Sequence, residues 1–165
     1  MFSLCKVVID GAILSVIASL LIIVSLCFNP RMWLQDYPKD IQDRVPPKTK
    51  EEKRQALVVG IPFLIVLVAV PLSSTLVLNV QGGGDTSFVQ LFLNAFGVAF
   101  VFNLVDLLLL DWLMFCTITP KFLVIPGTEG MGAYKDYCYH FKGALVGTAL
   151  SIVGGLVIAD IVWCI

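Results

Sequence analysis

Asp106 stands inside an otherwise apolar stretch of the chain, where its side-chain type and position could support chemistry. A carboxylate exposed to hydrocarbon costs several kcal/mol, so such a residue turns inward and finds partners. On an α-helix, which turns about 100° per residue, one sector contains Asn103, Asp106, Met114 and Thr117, with Asp111 at its border. Asn103 lies one turn before Asp106, within hydrogen-bonding reach. The pattern predicts a polar cleft that widens toward one side of the membrane.

The Asp106 carboxylate has two interpretations. In the functional one it acts as an acid, a base or a cation ligand, which is the default for an ionisable group inside a membrane segment. In the structural one it is held by Asn103 or by a lysine from a connecting segment. For Asp111 the structural interpretation is favoured, because the following Trp112 is typical of the membrane surface.

The segment that follows is rich in functional groups. His140 is the only histidine of the chain, and Asp136 lies one helical turn before it, where a carboxylate can orient the ring. With Asp106, this pair forms a plausible general-base group. Lys121, Lys135 and Lys142 could hold an anionic head group as point charges.

The candidate site has two sets of residues. The candidate catalytic residues are Asp106, His140 and Asp136. The candidate ligand-binding residues are Asn103, Asp111, Lys121, Glu129, Tyr134 and Lys142. The alternative is that the tyrosines and lysines are ordinary anchors at the membrane surface and that the histidine is structural.

The histidine and cysteine pattern indicates no metal and no cofactor. A zinc site needs three or four ligands at short spacing, and one histidine with five cysteines that form no C-x-x-C does not supply them. A multi-histidine di-iron site, paired-histidine haem ligation and a G-x-S-x-G serine motif are also absent from the sequence. Cys5 and Cys164 could pair near one membrane face, although small apolar packing residues are the commoner alternative.

Four apolar runs must position these groups, namely residues 7–28, 56–80, 88–118 and 141–165. Each reaches the roughly 20 residues that a helix needs to cross a bilayer. Hydrophobic residues make up 58% of the chain and charged residues 14%, with a mean hydropathy of +0.93. The sequence predicts an all-α membrane protein, a four-transmembrane-helix bundle that forms a single domain over residues 1–165.

The positive charges are concentrated on one side of this bundle. Seven of the eleven Lys and Arg residues lie in residues 31–54, three lie in or beside the connection between runs three and four, and only Lys6 lies elsewhere. The positive-inside rule therefore predicts two cytosolic connections and both termini on the non-cytosolic side of a plasma or inner membrane. The net charge of −1 gives no pull toward nucleic acid.

The first connection carries a helical stripe of apolar residues, Trp33, Leu34, Tyr37, Ile41 and Val45. The stripe fits two arrangements equally well, a helix lying in the membrane interface or a strap that covers the end of the bundle. After it, Thr49 and Glu52 have capping-box spacing and predict the start of the second long helix. The short apolar stretch 122–125 of the second connection could dip into the interface or pack under its loop.

Small residues recur every fourth position of the last run, at Gly143, Gly147, Ser151, Gly155 and Ala159. Such a face lets a neighbouring helix approach closely. The partner is predicted to be run one, where Gly11, Ser15 and Ser19 form a similar face, with a second copy of the chain or another membrane protein as the alternative.

Three classes of function fit these features. The first is a cytosol-facing intramembrane site that binds an amphiphilic or lipid-like ligand, with or without acid/base chemistry. The second is a proton- or cation-coupled transporter that uses Asp106 and needs a polar path beyond it. The third is a non-enzymatic accessory subunit that associates through an exposed small-residue face.

Overall fold

The computed structural model describes residues 3–165 and contains five α-helices in that range. They are α1 (Leu4–Phe28), α2 (Lys39–Arg44), α3 (Lys50–Gln81), α4 (Phe88–Val105) and α5 (Tyr137–Trp163). A π-helical segment, Asp106–Ile118, continues α4, and no strand occurs in residues 3–165. Four of the helices are long and apolar enough to cross a membrane, counting α4 with its continuation as one. The all-α four-helix prediction is confirmed, and the chain has the architecture of a membrane protein.

Local signals set the helix boundaries. The Ser3 hydroxyl accepts from the Lys6 amide at the start of α1, and Pro30, which cannot continue the helical hydrogen bonds, follows its end. The predicted capping box is confirmed at α3, because Thr49 and Glu52 each accept from the other's backbone N–H.

The helix in the third run changes its hydrogen-bond register at Asp106. The Thr119 N–H donates to the Met114 carbonyl five residues earlier at 2.9 Å, and the Thr117 hydroxyl reaches back five residues to the Trp112 carbonyl at 2.7 Å. In this π-type register residues five apart are joined by backbone hydrogen bonds and lie on nearly the same side of the helix. Asp106 and Asp111 are therefore on one face, whereas an α-helix would have rotated them apart.

Helix α4 contacts each of the other three long helices, and its closest partner is α5. A Cβ built on Gly155 would lie 3.0 Å from the backbone nitrogen of Phe96, and one on Gly147 would overlap the Asn103 side chain. The prediction that the small-residue face of the last helix packs on the first is therefore wrong, since that face packs on α4. Of the three glycines on this face, Gly143 alone does not pack closely on another helix, because no neighbouring atom lies within 4 Å of its Cβ position.

The two connections, residues 29–49 and 119–136, fold together over one end of the bundle, and we call this unit the cap. A buried cluster, which we call the cap cluster, joins the cap to the end of the π-helical segment. It comprises Leu34, Tyr37, Ile41, Leu123, Ile125 and Tyr134 of the cap with Phe115 and Cys116 of that segment. The Tyr37 hydroxyl donates to the Leu123 carbonyl at 2.8 Å and joins the two connections. The strap arrangement of the first connection is thus the one observed, and residues 122–125 pack under their own loop.

Candidate functional site

A cavity of about 620 Å³ lies beneath the cap, between the long helices. Its polar lining residues are Asp36, Asn103, Asp106, Asp111, Tyr139, His140 and Lys142. Its aromatic lining residues are Trp33, Tyr37, Phe63, Phe102 and Phe115. Aliphatic side chains complete the wall on the side away from the cap, among them Ile22, Leu67 and Leu150. The cavity therefore combines a polar end beneath the cap with an apolar interior.

Asp111 and His140 form a pair inside this cavity. The Asp111 Oδ1 lies 2.9 Å from the His140 Nδ1, and His140 is only 6% exposed. The pair joins the π-helical segment to the first turn of α5. When Nδ1 donates to the carboxylate, the neutral ring keeps its lone pair at Nε2, and Nε2 is buried without a hydrogen-bond partner in the described chain. Leaving such an atom unpaired costs about 1–3 kcal/mol, and a ligand reaches Nε2 only when the side chains that cover it, Phe115 among them, move aside.

Asp106 lies one π-turn before Asp111 and is half-buried at the cavity wall. Asn103 donates to the Ala144 carbonyl at 3.1 Å and to the Thr148 hydroxyl at 3.0 Å. The expected bond from Asn103 to Asp106 is therefore not formed. Within residues 3–165 no hydrogen bond or ion pair to the Asp106 carboxylate is found, which leaves it open to a ligand.

Asp36 reaches the cavity from the cap, opposite the π-helical segment. The Asp36 side chain keeps contact with water at the edge of the cavity. The protein atoms around it raise the pKa of Asp36 to about 6 by partial desolvation, and the nearby Asp111 carboxylate acts in the same direction. Lys48 and a hydrogen bond from the Gln35 amide, 2.8 Å from Asp36 Oδ2, oppose the rise in this pKa. Asp36 thus adds a third carboxylate to the cavity.

The raised pKa of Asp36 predicts a pH dependence of stability. Between the ordinary value of 3.8 and about 6 the folded chain binds more protons at this group than the unfolded chain. Stability from Asp36 is therefore fully present below the ordinary pKa and is lost as the pH rises through about 6. We expect Asp36→Asn to flatten the dependence of the thermal midpoint on pH in this window. Asp40→Asn, outside the cavity lining, is the control, and equal pH profiles for wild type and Asp36→Asn would contradict the prediction.

Four of the residues singled out from the sequence lie outside the cavity. Asp136 caps α5 by accepting from the Tyr139 N–H at 2.9 Å, so its assignment as the partner of His140 is wrong and Asp111 has that position. The Glu129 carboxylate accepts from the Gly127 N–H. Lys121 is exposed. The buried Tyr134 hydroxyl bonds within the cap, to the Ile125 N–H and to Thr128.

Sequence reasoning missed part of the lining. Asp36 and Tyr139 line the cavity but were not singled out as site residues, and the Thr117 hydroxyl lies outside, against the Tyr137 hydroxyl at 3.0 Å. The sequence signal for Asp36 was its position between Leu34 and Tyr37 of the apolar stripe in the first connection. Since that stripe covers the end of the bundle, a carboxylate beside it can reach the space between the helices.

A second polar group lies at the other end of the bundle. Lys6 forms an ion pair with Asp10, and the Ser74 hydroxyl accepts from Lys6 and donates to Asp10 at 2.5 Å. The fully buried Asn94 amide donates to the hydroxyls of Ser74 and Thr75 at 2.9 and 3.1 Å. These bonds tie α1, α3 and α4 together, and Lys6 neutralises Asp10.

An apolar layer separates this group from the cavity. Its buried members are Val7, Leu14, Ala18, Val98 and Phe102. Along α4, Val98 and Phe102 occupy the turns between Asn94 and Asp106. The transport hypothesis requires a continuous polar path from Asp106 to the far end of the bundle. In this conformation the described residues form no such path.

An outward-facing groove of about 1040 Å³ lies between α1 and α3 near the cap. Its walls are apolar, with Leu20, Val24, Phe28, Val58 and Pro62 among the lining residues. At its polar end the Asn29 amide donates to Gln55 at 3.0 Å. Arg54 pairs with Glu51, also at 3.0 Å. These polar groups of the groove thus satisfy one another, whereas the Asp106 carboxylate in the cavity has no partner in the described chain.

No family model, curated protein or solved structure matches this chain.

Proposed function

We propose that this membrane protein binds an amphiphilic, lipid-like ligand in the cavity beneath the cap. The polar head of the ligand contacts Asp106 and the Asp111–His140 pair, and its apolar part lies between the helices. The observation that carries this proposal is a cavity with apolar walls whose polar end contains the Asp106 carboxylate, which has no partner in the described chain, and the Asp111–His140 pair. Sites for small molecules typically combine an apolar lining with a few converging polar groups.

The charge distribution supports an orientation for this site. Ten of the eleven Lys and Arg residues belong to the cap or to the helix turns beside it. By the positive-inside rule the cap is cytosolic, in a plasma or inner membrane, and both termini are on the opposite side. The head group then enters from the cytosolic side.

The Asp111–His140 pair makes the site competent for acid/base chemistry. A carboxylate that accepts from Nδ1 fixes the imidazole ring and leaves Nε2 able to accept a proton. Asp106, one π-turn away and without a partner in the described chain, is the second group that can exchange a proton with a bound head group. The proposed roles are His140 as base, Asp111 as its positioning residue, and Asp106 as the residue that contacts the head group.

Quenching of Trp33 fluorescence tests whether the cavity is occupied. Trp33 lines the cavity, so a Trp112→Phe, Trp163→Phe protein in phosphatidylcholine nanodiscs has one reporter. Single-chain amphiphiles brominated on the tail, with cationic, neutral and anionic heads, are titrated. We expect at least one to quench Trp33 saturably.

A space-filling variant identifies the place of binding. Gly143 lines the cavity and its Cβ position is free of neighbours, so Gly143→Phe fills space without a clash at its first side-chain atom. We expect it to weaken the saturable quenching at least tenfold. The control is Gly154→Phe on the same helix, which lies outside the cavity lining. Quenching that rises linearly for every amphiphile, or that Gly143→Phe leaves unchanged, would refute the proposal.

A further inference from the structure

We propose that the ligand of this cavity is a lipophilic amine, whose protonated primary ammonium head is held among Asp36, Asp106 and Asp111. This inference rests on the proposed function and adds the charge and the chemical class of the head group. It reverses the expectation from the sequence, in which three lysines were candidates for holding an anionic head.

The first argument is the sign of the charges around the cavity. Three carboxylates line it, one from the cap and two from the π-helical segment. Of the lysines considered from the sequence, only Lys142 lines the cavity, and its side chain is exposed. An anionic head would be repelled by the carboxylates, and the cost of that repulsion is larger away from bulk water.

The second argument is the aromatic lining. Rings of Trp33, Phe63 and Phe102 form a continuous series, with centroids 5.8 Å apart in the first pair and 6.1 Å apart in the second. Tyr37 and Phe115 continue the aromatic surface beneath the cap, 5.0 Å apart. Aromatic faces attract cations and also bury hydrocarbon, so this wall suits both parts of a lipophilic amine.

The third argument concerns hydrogen bonding, because a carboxylate in the cavity wall accepts no hydrogen bond from the described chain. The Asp106 carboxylate lines the cavity, and no protein donor to it is found in the described chain. A primary ammonium carries three N–H donors, whereas a quaternary ammonium carries none. The chemistry therefore favours a primary amine over a quaternary one of equal charge, and either of them over a neutral alcohol.

The test compares four brominated amphiphiles that share one tail and differ in the head, which is a primary ammonium, a trimethylammonium, a hydroxyl or a sulfate. Each is titrated into the single-tryptophan protein in phosphatidylcholine nanodiscs, with Trp33 quenching as the readout. We expect the primary ammonium to bind tightest and at least tenfold more tightly than the hydroxyl compound. The sulfate compound is expected to be the weakest.

Matched variants connect the preference to the carboxylates. Asp106→Asn is expected to weaken binding of the ammonium compound at least tenfold and to leave the hydroxyl compound within about twofold, since a lost charge pair affects only the charged head. The exposed Asp43→Asn is the control. If Asp106→Asn fails to give a monodisperse protein, Asp36→Asn, in the cap, provides the same comparison.

The outcomes separate the two proposals. Saturable binding of the hydroxyl or sulfate compound, as tight as that of the ammonium compound, would overturn the amine assignment and leave the amphiphile site standing. The amine assignment would also be overturned if neither Asp106→Asn nor Asp36→Asn changed the preference for the ammonium compound over the hydroxyl compound. Absence of saturable, Gly143→Phe-sensitive quenching by all four compounds would remove the site itself.

Discussion

Replacing Gly155 by leucine is expected to prevent assembly of the helical bundle, whereas the same replacement at the adjacent Gly154 is expected to be tolerated. A Cβ at Gly155 would lie 3.0 Å from the backbone nitrogen and Cβ of Phe96 and 3.1 Å from its Cα. These atoms belong to the facing helix and cannot rotate away, so α4 and α5 must separate. At Gly154 nothing lies within 4 Å, and the new side chain points into open space.

The size of the effect follows from the packing. Adding even a few methylenes to a well-packed interior costs about 1–3 kcal/mol, and leucine also forces apart the most extensive helix pair of the fold. We expect Gly155→Leu to lower the thermal midpoint in detergent by more than 10 °C, on the order of several kcal/mol, or to abolish the monodisperse peak. Gly154→Leu should stay close to wild type. Equal behaviour of the two variants would show that α4 and α5 do not pack as described.

Replacing Ile41 by alanine is expected to loosen the cap while leaving the membrane helices assembled. Ile41 is fully buried in the cap cluster, and truncating such a residue costs about 2–5 kcal/mol because it leaves a void. The cap is built from two short connections, so a loss of this size is large relative to its local stability. Lys39→Ala, on the exposed face of the same helix α2, is the matched control.

Cys116 reports on the cap directly. It is fully buried in the same cluster, whereas the other four cysteines are exposed. In a protein with those four changed to serine, maleimide labelling of Cys116 should be slow. Ile41→Ala should accelerate it at least tenfold, and Lys39→Ala should not. Rapid labelling of the parent protein, or no change in Ile41→Ala, would contradict the buried cluster beneath the cap.

Features governed by local sequence were predictable. The four long helices follow from length and hydropathy, and the capping box at Thr49 and Glu52 follows from hydrogen bonds between residues three apart. The polar character of the cavity was predictable from Asp106, because an ionisable group in an apolar run must avoid lipid.

The partners inside the cavity were not predictable, since they depend on register and on tertiary packing. A turn of about 100° per residue put Thr117 into the polar sector and Asp111 at its edge, whereas the π-type register aligns Asp111 with Asp106. Asp136 lies four residues before His140, one helical turn away, but its carboxylate is used for capping α5. Asp36 reaches the cavity only because the strap folds back over the bundle end.

Helix pairing was also beyond the sequence pattern. The spacing of Gly147, Ser151 and Gly155 identified a face that could approach another helix closely. It could not identify which helix, since α1 offers small residues of its own. The Asn103 side chain fills the space over Gly147 and hydrogen-bonds α5, so one amide on α4 selects the pairing.

The dry layer of Val98, Phe102 and their neighbours on α1 has a bioenergetic consequence. Moving one elementary charge across a membrane potential of 100 mV changes its free energy by about 2.3 kcal/mol. A cell whose membrane leaks ions loses the free energy stored in this potential. A pocket that ends blindly against hydrocarbon admits a charged guest from one compartment without opening a conductive route to the other. We therefore expect membranes rich in this protein to remain electrically tight, and under the proposed function to stay so while the ligand binds and leaves.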